Sequence, residues 1–239
     1  MHRCLIQPEA LSSDSIRLGH EESRHLRTVL RVKAGDAVEL FDGAGYTRRV
    51  EVKAADRQGL VVEPLEAPQF HARLPVSMVL FASVIKRMDW TVEKATELGV
   101  AEIVPVLTDR CVIRISAKDA PAKVERWLRI AEDSLRQCGG SWMPRIHLPC
   151  TLEESLARIA AQRTYVAALS PSARPFRECL EGGRLERVAY YVGPEGDFTN
   201  EELEALLRSG CVPVSLGPRV LRAETACLYG LSVLSSAWL

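Results

Sequence analysis

Two short segments near the C-terminus constrain this chain more than any others. They are Gly193-Pro194-Glu195-Gly196-Asp197-Phe198 and the run LGPRVLRAETA at 216–226. Each follows an apolar run typical of a buried strand, at 188–192 and at 211–216, and each precedes a helical pattern. A strand that ends in a Gly-Pro turn before a helix presents bare backbone N–H groups that a ligand can approach closely. The sequence therefore predicts one pocket lined by both turns.

Composition limits the partners and the compartment. The chain has 239 residues and a formal net charge of zero, which argues against non-specific adhesion to nucleic acid but allows a local basic face. Its seven cysteines show no C-x-x-C pair, which favours reduced thiols in a cytoplasmic protein over a disulfide framework or a zinc site. The chain shows neither a signal-peptide core nor a run of about eighteen apolar residues. We therefore expect no membrane span and no metal.

Residues 1–72 show a mostly β pattern. Alternating apolar positions at 37–41 and 46–52 flank a DGAG turn and predict a hairpin, and 59–63 is a further short strand. A short basic helical patch is expected at 26–32. Short strands at this spacing suggest a small β-barrel, and the prolines at 64 and 68 mark a boundary after it.

From residue 73 onward the pattern alternates between strand and helix, which predicts an α/β domain with a mainly parallel sheet. Strands are expected at 76–84, 102–107, 144–150, 164–169, 188–192 and 211–216, and helices at 89–98, 120–138, 152–161, 200–208 and 222–238. Thr199 and Glu202 have the spacing of a capping box. The last helix is apolar nearly all round, so we expect it to be buried in the domain or against another subunit.

Neither turn carries a standard nucleotide motif. The chain lacks both G-x-x-x-x-G-K-[ST] and G-x-G-x-x-G at the first turn, and the Glu195 carboxylate there would repel a phosphate. A neutral or cationic ligand suits this turn better, and a tight turn without any ligand is the alternative. In the second turn Arg222 lies where the helix begins, against the helix dipole, which suggests a function. The alternative is an ion pair of Arg222 with Glu195 or Glu224.

Several cations are candidates for contacts with RNA phosphates. They are Arg24, Arg27 and Arg31, extended by Arg48 and Arg49 on the hairpin, and Lys86 and Arg87 at the carboxyl end of the first central strand. Residues 1–72 contain ten Lys/Arg and eleven Asp/Glu, so this region is not basic overall. A solvated surface is therefore the alternative for every one of these residues.

Taken together, the motifs resemble a known family. The GPEG and LGPRVLRAETA segments occur with HL at 25–26, VLR at 29–31, LFDG at 40–43, EKATELGV at 93–100, DRC at 109–111 and QCG at 137–139. In this order, over nearly the whole chain, they resemble the ribosomal RNA small subunit methyltransferase E family. Those enzymes methylate N3 of one uridine in 16S rRNA with S-adenosylmethionine.

The resemblance implies a PUA-like RNA-binding β-barrel at 1–72 and a SPOUT methyltransferase domain with a C-terminal trefoil knot at 73–239. It also implies S-adenosylmethionine as cofactor, the 16S rRNA of the small ribosomal subunit as partner, and a homodimer. Arg222 is then expected to stabilise an anionic uracil, with Glu195 or Glu224 ordering the loops or relaying the proton. RNA contacts are expected from Arg24, Arg27, Arg31, Lys86 and Arg87. The expected cofactor-binding residues are Leu169, Gly193, Pro194, Glu195, Gly196, Leu216, Gly217, Val220, Leu221, Thr225 and Ala226.

Three positions depart from the family pattern. Asp197 stands where the family usually has glycine, Ala223 where it usually has threonine, and Arg136 where it usually has glutamate. An RNA-binding PUA-like protein with an inactive methyltransferase domain therefore stays an alternative, as does a SPOUT methyltransferase that acts on another RNA. The missing phosphate motifs disfavour a nucleotide-dependent enzyme unrelated to RNA.

Overall fold

The structure is a computed structural model that describes residues 1–56, 59–158, 160–180 and 185–238. The chain divides into two compact units. The first comprises Met1–Arg73 with Glu132–Met143, and the second comprises Leu74–Ala131 with Pro144–Leu239. Helix residues 132–138 therefore group with the N-terminal unit, which a boundary drawn along the sequence could not reveal.

The first unit is built on a six-stranded, mostly antiparallel sheet. Its strands are β1 (His2–Leu5), β2 (Ile16–Arg17), β3 (Ala37–Phe41), β4 (Tyr46–Asp56), β5 (Gly59–Pro64) and β6 (Gln69–Phe70). The order is β1-β3-β4-β5-β2, and β6 pairs with β4. The predicted hairpin of β3 and β4 is confirmed, with Val38 opposite Val50, and in the next pair of strands, β4 and β5, Val52 lies opposite Val62. These alternating valines are completely buried, so the period-2 pattern forms the core of this unit.

The basic helical patch predicted at 26–32 begins earlier than expected. Helix α1 (His20–Arg24) continues directly into a π-helical turn at His25–Val29. The chain leaves this turn through Arg31, whose φ is 56°. A left-handed conformation is unusual for arginine and ends the helix there.

The second unit contains an eight-stranded, entirely parallel sheet, as the alternation predicted. Its elements are β7 (Ser77–Ser83), α2 (Met88–Glu97), β8 (Glu102–Leu107), α3 (Ala120–Cys138), β9 (Arg145–Ile146), β10 (Cys150–Thr151), α4 (Leu152–Leu156), β11 (Arg163–Ala167), β12 (Arg174–Pro175), β13 (Arg187–Val192), α5 (Asn200–Arg208), β14 (Val212–Ser215) and α6 (Ala223–Trp238). The strand order is β10-β8-β7-β13-β11-β14-β12, with β9 beside β8. The trefoil knot stays a prediction.

Two predicted elements differ from the structure. The strand expected at 144–150 forms the two short pieces β9 and β10, because Pro149 has no N–H to donate to a ladder. The helix expected at 152–161 ends at Leu156, and residue 159 lies outside the described residues. Within the part of the chain that the structure describes, no helix combines the length and the apolar run that a bilayer crossing requires.

Both faces of the central strands are buried. On one face of the sheet, the rings of Phe81 and Tyr191 stack with centroids 4.2 Å apart. Tyr190 points to the other face, where its hydroxyl donates to the Ala226 carbonyl of α6 at 3.1 Å. At Gly230 a Cβ would lie 2.1 Å from the Tyr190 Cε1 atom, so only glycine lets the helix approach this closely. The glycine therefore sets the distance between α6 and the sheet.

We expect Gly230→Ala to destabilise the protein. Alanine in an open helix position is favoured over glycine by about 1 kcal/mol, but here the added methyl would overlap a buried tyrosine ring. Overpacking should outweigh propensity and lower the free energy of unfolding by about 1–3 kcal/mol in urea titrations. Ser232→Ala, on the exposed face of the same helix, is the control and should change little. A Gly230→Ala protein as stable as the wild type would contradict this packing.

Candidate active site

A cleft lies at the carboxyl ends of three adjacent parallel strands, β13, β11 and β14, the edge where α/β sheets bind ligands. Three chain segments that follow these strands form its walls. The lining residues are Ala167, Ala168, Leu169, Val192, Gly193, Pro194, Glu195, Asp197, Val214, Ser215, Leu216, Gly217, Arg219, Val220, Leu221, Ala223 and Ala226. The two turns singled out in the sequence therefore do share one pocket.

The turn after β13 is tightly folded on itself. A Cβ at Gly193 would lie 2.9 Å from the Asp197 Oδ1 atom and 3.1 Å from the Phe198 nitrogen, so a side chain there would force the turn open. Asp197 has a φ of 59°, in the left-handed region that favours glycine. Its Oδ1 accepts a hydrogen bond from the Phe198 N–H at 2.8 Å. The aspartate thus adopts a backbone conformation that favours glycine, and it adds a carboxylate to the cleft.

Arg110, in the loop after β8, hydrogen-bonds to the same turn and is not part of the cleft lining. Its Nη1 donates to the carbonyl of Gly196 at 2.7 Å and to that of Phe198 at 3.2 Å. A Cβ at Gly196 would lie 3.3 Å from the Arg110 Cδ atom. Gly196 therefore packs against this arginine instead of lining the cleft, where the sequence expectation had put it.

The helix after the turn begins as the sequence predicts. Thr199 caps α5, and Glu202 completes the capping box. The buried Glu202 also accepts a hydrogen bond from the Asp109 N–H at 2.8 Å, which ties the loop after β8 to the start of α5. The loop that carries Arg110 is therefore held both to the turn, through Arg110, and to the start of α5, through Asp109.

The charged residues at the start of α6 do not form the ion pairs considered from the sequence, Arg222 with Glu195 or Glu224. Glu224 is buried and lies 3.4 Å from the Nε of Arg87, so its partner is neither Arg222 nor a residue of the first turn. Arg222 is exposed just before the helix and lies outside the cleft lining. Arg219 does line the cleft. The sequence pattern pointed to Arg222 at the start of the helix, because a pattern does not reveal the course of the loop that brings Arg219 to the cleft.

Nine of the eleven expected cofactor-binding residues line the cleft. The exceptions are Gly196 and the exposed Thr225. Among the expected catalytic residues, Glu195 lies on the cleft, whereas Arg222 and Glu224 do not line it. Some lining residues were not among the predicted site residues, such as Ala167 and Val214 at the ends of β11 and β14. Predicting them would have required knowing the residue at which each strand ends.

The basic residues of the first unit do not form one strip. Arg48 is buried, and its guanidinium donates to the carbonyls of Leu11, Ser13 and Glu66. It is therefore a structural residue, and the extension of the strip to Arg48 was wrong. The four other cations of the strip, Arg24, Arg27, Arg31 and Arg49, are exposed. Arg136 pairs with Glu132 and Asp133 on its own helix, within the first unit.

An ion-pair network outside the cleft links strands of the parallel sheet. At the amino edge of the parallel sheet, His147 and Arg187 each lie 2.7 Å from a carboxylate oxygen of Glu102. Burial acts to raise the pKa of the Glu102 carboxyl, but these two hydrogen bonds outweigh it and lower the pKa. All seven cysteines are free. Among the described residues, no group of three or more His, Cys, Asp or Glu side chains could hold a metal ion.

We expect alanine and glycine to rank in opposite order at two aspartates. At Asp197 both substitutions remove the bond to the Phe198 N–H, but only glycine adopts the positive φ without strain. Asp197→Ala should therefore be about 1 kcal/mol less stable than Asp197→Gly in urea titrations. At Asp133, exposed within α3, the glycine variant should be the less stable one by about 1 kcal/mol. The same order at both positions would refute the conformation assigned to the turn.

Two protein-family models match this chain. The model of an RNA methyltransferase domain matches residues 72–235, and the model of an RNA methyltransferase PUA domain matches residues 18–65. The Ribosomal RNA small subunit methyltransferase E of Bacillus subtilis is 28% identical over 225 residues, which cover 90% of this chain and 87% of that protein.

Two solved structures are similar over nearly their whole length. A Legionella pneumophila protein, described as a methyltransferase in complex with its cofactor SAM, is 28% identical, with a TM-score of 0.89 over 98% of this chain and 97% of that one. A Ribosomal RNA small subunit methyltransferase E from Neisseria gonorrhoeae, bound to S-adenosyl methionine, is 26% identical, with a TM-score of 0.89 over 100% of this chain and 98% of that one. The chain therefore belongs to the RNA methyltransferase family with an N-terminal PUA domain, the family of the ribosomal RNA small subunit methyltransferase E proteins.

Proposed function

We propose that this chain transfers a methyl group from S-adenosylmethionine to N3 of a uridine in the 16S rRNA of the small ribosomal subunit. One observation carries the proposal: the cleft at the ends of β11, β13 and β14, in a member of the RNA methyltransferase family. The names of the relatives support the substrate, and the substrate implies action in the cytoplasm.

The chemistry of the cleft suits this cofactor. The apolar side chains of Leu169, Val220 and Leu221 offer a surface for an adenine ring. The carboxylates of Glu195 and Asp197 suit the positive charges of the sulfonium and the amino group, and the Arg219 guanidinium suits the carboxylate. At Gly193 the absence of a side chain leaves the backbone itself as part of the cleft wall, which a ligand can approach closely.

When bound, S-adenosylmethionine supplies an electrophilic methyl group on a sulfonium sulfur. The uracil must lose its N3 proton so that the N3 lone pair can form a bond to the methyl carbon. The carbon–sulfur bond would break as that bond forms, and the sulfur would leave as a neutral thioether. We assign the acceptance of this proton to Glu195, which is exposed at the cleft, and the stabilisation of the uracil anion to Arg222. Glu224 is a positioning residue, because its contact with Arg87 fixes the start of α6.

The RNA is held, in this proposal, by exposed cations on both units. Arg24, Arg27 and Arg31 of the first unit contact phosphates, and the left-handed backbone at Arg31 is kept against the preference of arginine. Lys86 and Arg87 serve the same purpose next to α2. The side chain of Arg87 is 59% exposed, so it can meet a phosphate while it contacts Glu224.

We also propose that the active form is a homodimer. Helices α2 and α6 pack together in the second unit. Helix α6 buries one face against the sheet, yet Tyr229 on α6 is 43% exposed and Trp90 on α2 is 36% exposed. A second copy of the chain would cover these two rings.

The direct test is methyl transfer to 16S rRNA from a bacterial strain that lacks its own uridine-N3 methyltransferase. Primer extension should gain one strong stop after incubation with the protein and S-adenosylmethionine, because N3 methylation blocks base pairing. Assembled small subunits and naked rRNA should be assayed in parallel. A stop in neither substrate, with saturable cofactor binding, would point to another RNA. Absence of both would point to an RNA-binding protein with an inactive methyltransferase domain.

In the same assay we expect Arg222→Ala to lower the rate of transfer at least about a hundredfold while cofactor affinity stays near the wild-type value. The matched control is Arg208→Ala, which removes an exposed arginine of α5 and should leave the rate unchanged. Near-normal transfer by Arg222→Ala would refute the role assigned to Arg222.

A further inference from the structure

Three aromatic rings form a continuous surface on the first unit. Tyr46 on β4 and Phe70 on β6 are paired across the sheet, and their ring centroids lie 5.0 Å apart. The Trp142 ring meets Phe70 edge-on, with centroids 5.9 Å apart. We call Tyr46, Phe70 and Trp142 the aromatic surface. Tyr46 is 44% exposed and Phe70 is 57% exposed, although both are large apolar groups.

The aromatic surface is rigidly supported. The Trp142 Nε1 donates to the His71 carbonyl at 2.8 Å, and the Arg73 guanidinium lies 3.9 Å from the centroid of the indole. The indole covers Gly45, where a Cβ would lie 2.4 Å from its Cζ2 atom. These contacts hold the indole in place, and Phe70 packs against it, which reduces the entropy that binding must overcome.

Burial does not explain why these rings are here. The unit contains four aromatic side chains, and Phe41 alone is in its core. Cys4 and aliphatic side chains, among them those of β3, β4 and β5, make up the rest of that core. Two adjacent rings left in solvent lose the hydrophobic stabilisation that burial would give them, so a ligand that covers them gains it.

We propose that the aromatic surface stacks unpaired bases of single-stranded RNA, with Arg73 beside their phosphates. Flat exposed rings suit nucleobases of any sequence, and the arginine complements the negative charge of the backbone. Carboxylates would repel RNA, but Asp42, which lies next to this surface, already accepts hydrogen bonds from the N–H groups of Ala44 and Tyr46. The proposal rests on the proposed function only in taking RNA as the ligand.

The test separates stacking from charge by using two labelled probes. One is an oligouridine of about twelve nucleotides, and the other is an abasic strand of the same length, which keeps the phosphates but has no bases. We expect Tyr46→Ala and Phe70→Ala each to weaken oligouridine binding by about 5-fold to 100-fold in fluorescence anisotropy. Binding of the abasic strand and the salt dependence of affinity should stay unchanged.

Two matched variants complete the design. Tyr46→Phe keeps the ring and should keep wild-type affinity, whereas Arg24→Ala should weaken both probes equally and reduce the salt slope by about one. Thermal midpoints should show that all variants are folded. Trp142→Ala is avoided because the indole supports the Gly45 turn.

Three results would overturn the proposal. They are unchanged oligouridine affinity in both alanine variants, equal losses for the two probes, and a change in oligomeric state without a change in RNA affinity, which would make the surface a protein interface. Wild-type methyl transfer that does not depend on the rings would refute the aromatic surface alone. Ring-dependent RNA binding without any methyl transfer would refute the proposed reaction alone.

Discussion

The parallel arrangement of β13, β11 and β14 is the constraint on which the site depends. Because these neighbouring strands run in one direction, the three segments that follow them must leave the sheet at the same edge. β13 and β11 are buried on both faces, so the edge is held in place by the core of the unit. The three segments are separated in sequence, but the strand ends bring them together into one cleft. None of the segments therefore needs to be rigid by itself.

Within this frame, close backbone contacts set the shape of the cleft. Glycine at 193 lets the turn after β13 fold back on Asp197, and glycine at 230 lets α6 approach the sheet. Arg110 then holds two carbonyls of the turn from the neighbouring loop. The side chains that face the cleft add charge to a shape that the backbone has already defined. Asp197 illustrates this division, because its backbone has the left-handed conformation that the turn requires while its carboxylate lines the cleft.

Much of the fold and of the cleft was predictable from the sequence, and the predictions that were wrong have physical causes. The period-2 valines near 38, 50 and 62, the continuous apolar run of β7 and the Thr199 capping box each depend on local patterns, and all three were confirmed. The prediction that Arg48 contacts RNA was wrong because the local sequence does not distinguish an exposed arginine from one that donates to three distant carbonyls. The Arg87–Glu224 contact joins residues far apart in sequence, and neither pattern nor spacing could indicate it.

The central claim is that this cleft binds S-adenosylmethionine, and calorimetry of Gly193→Val tests it most directly. The wild-type chain should bind the cofactor saturably at one site per chain. Valine at position 193 should weaken that binding by at least about a hundredfold, because its side chain would collide with Asp197 and Phe198 and force the turn open. A thermal midpoint near the wild-type value would show that the fold survives. A folded Gly193→Val protein with wild-type cofactor affinity would contradict the account.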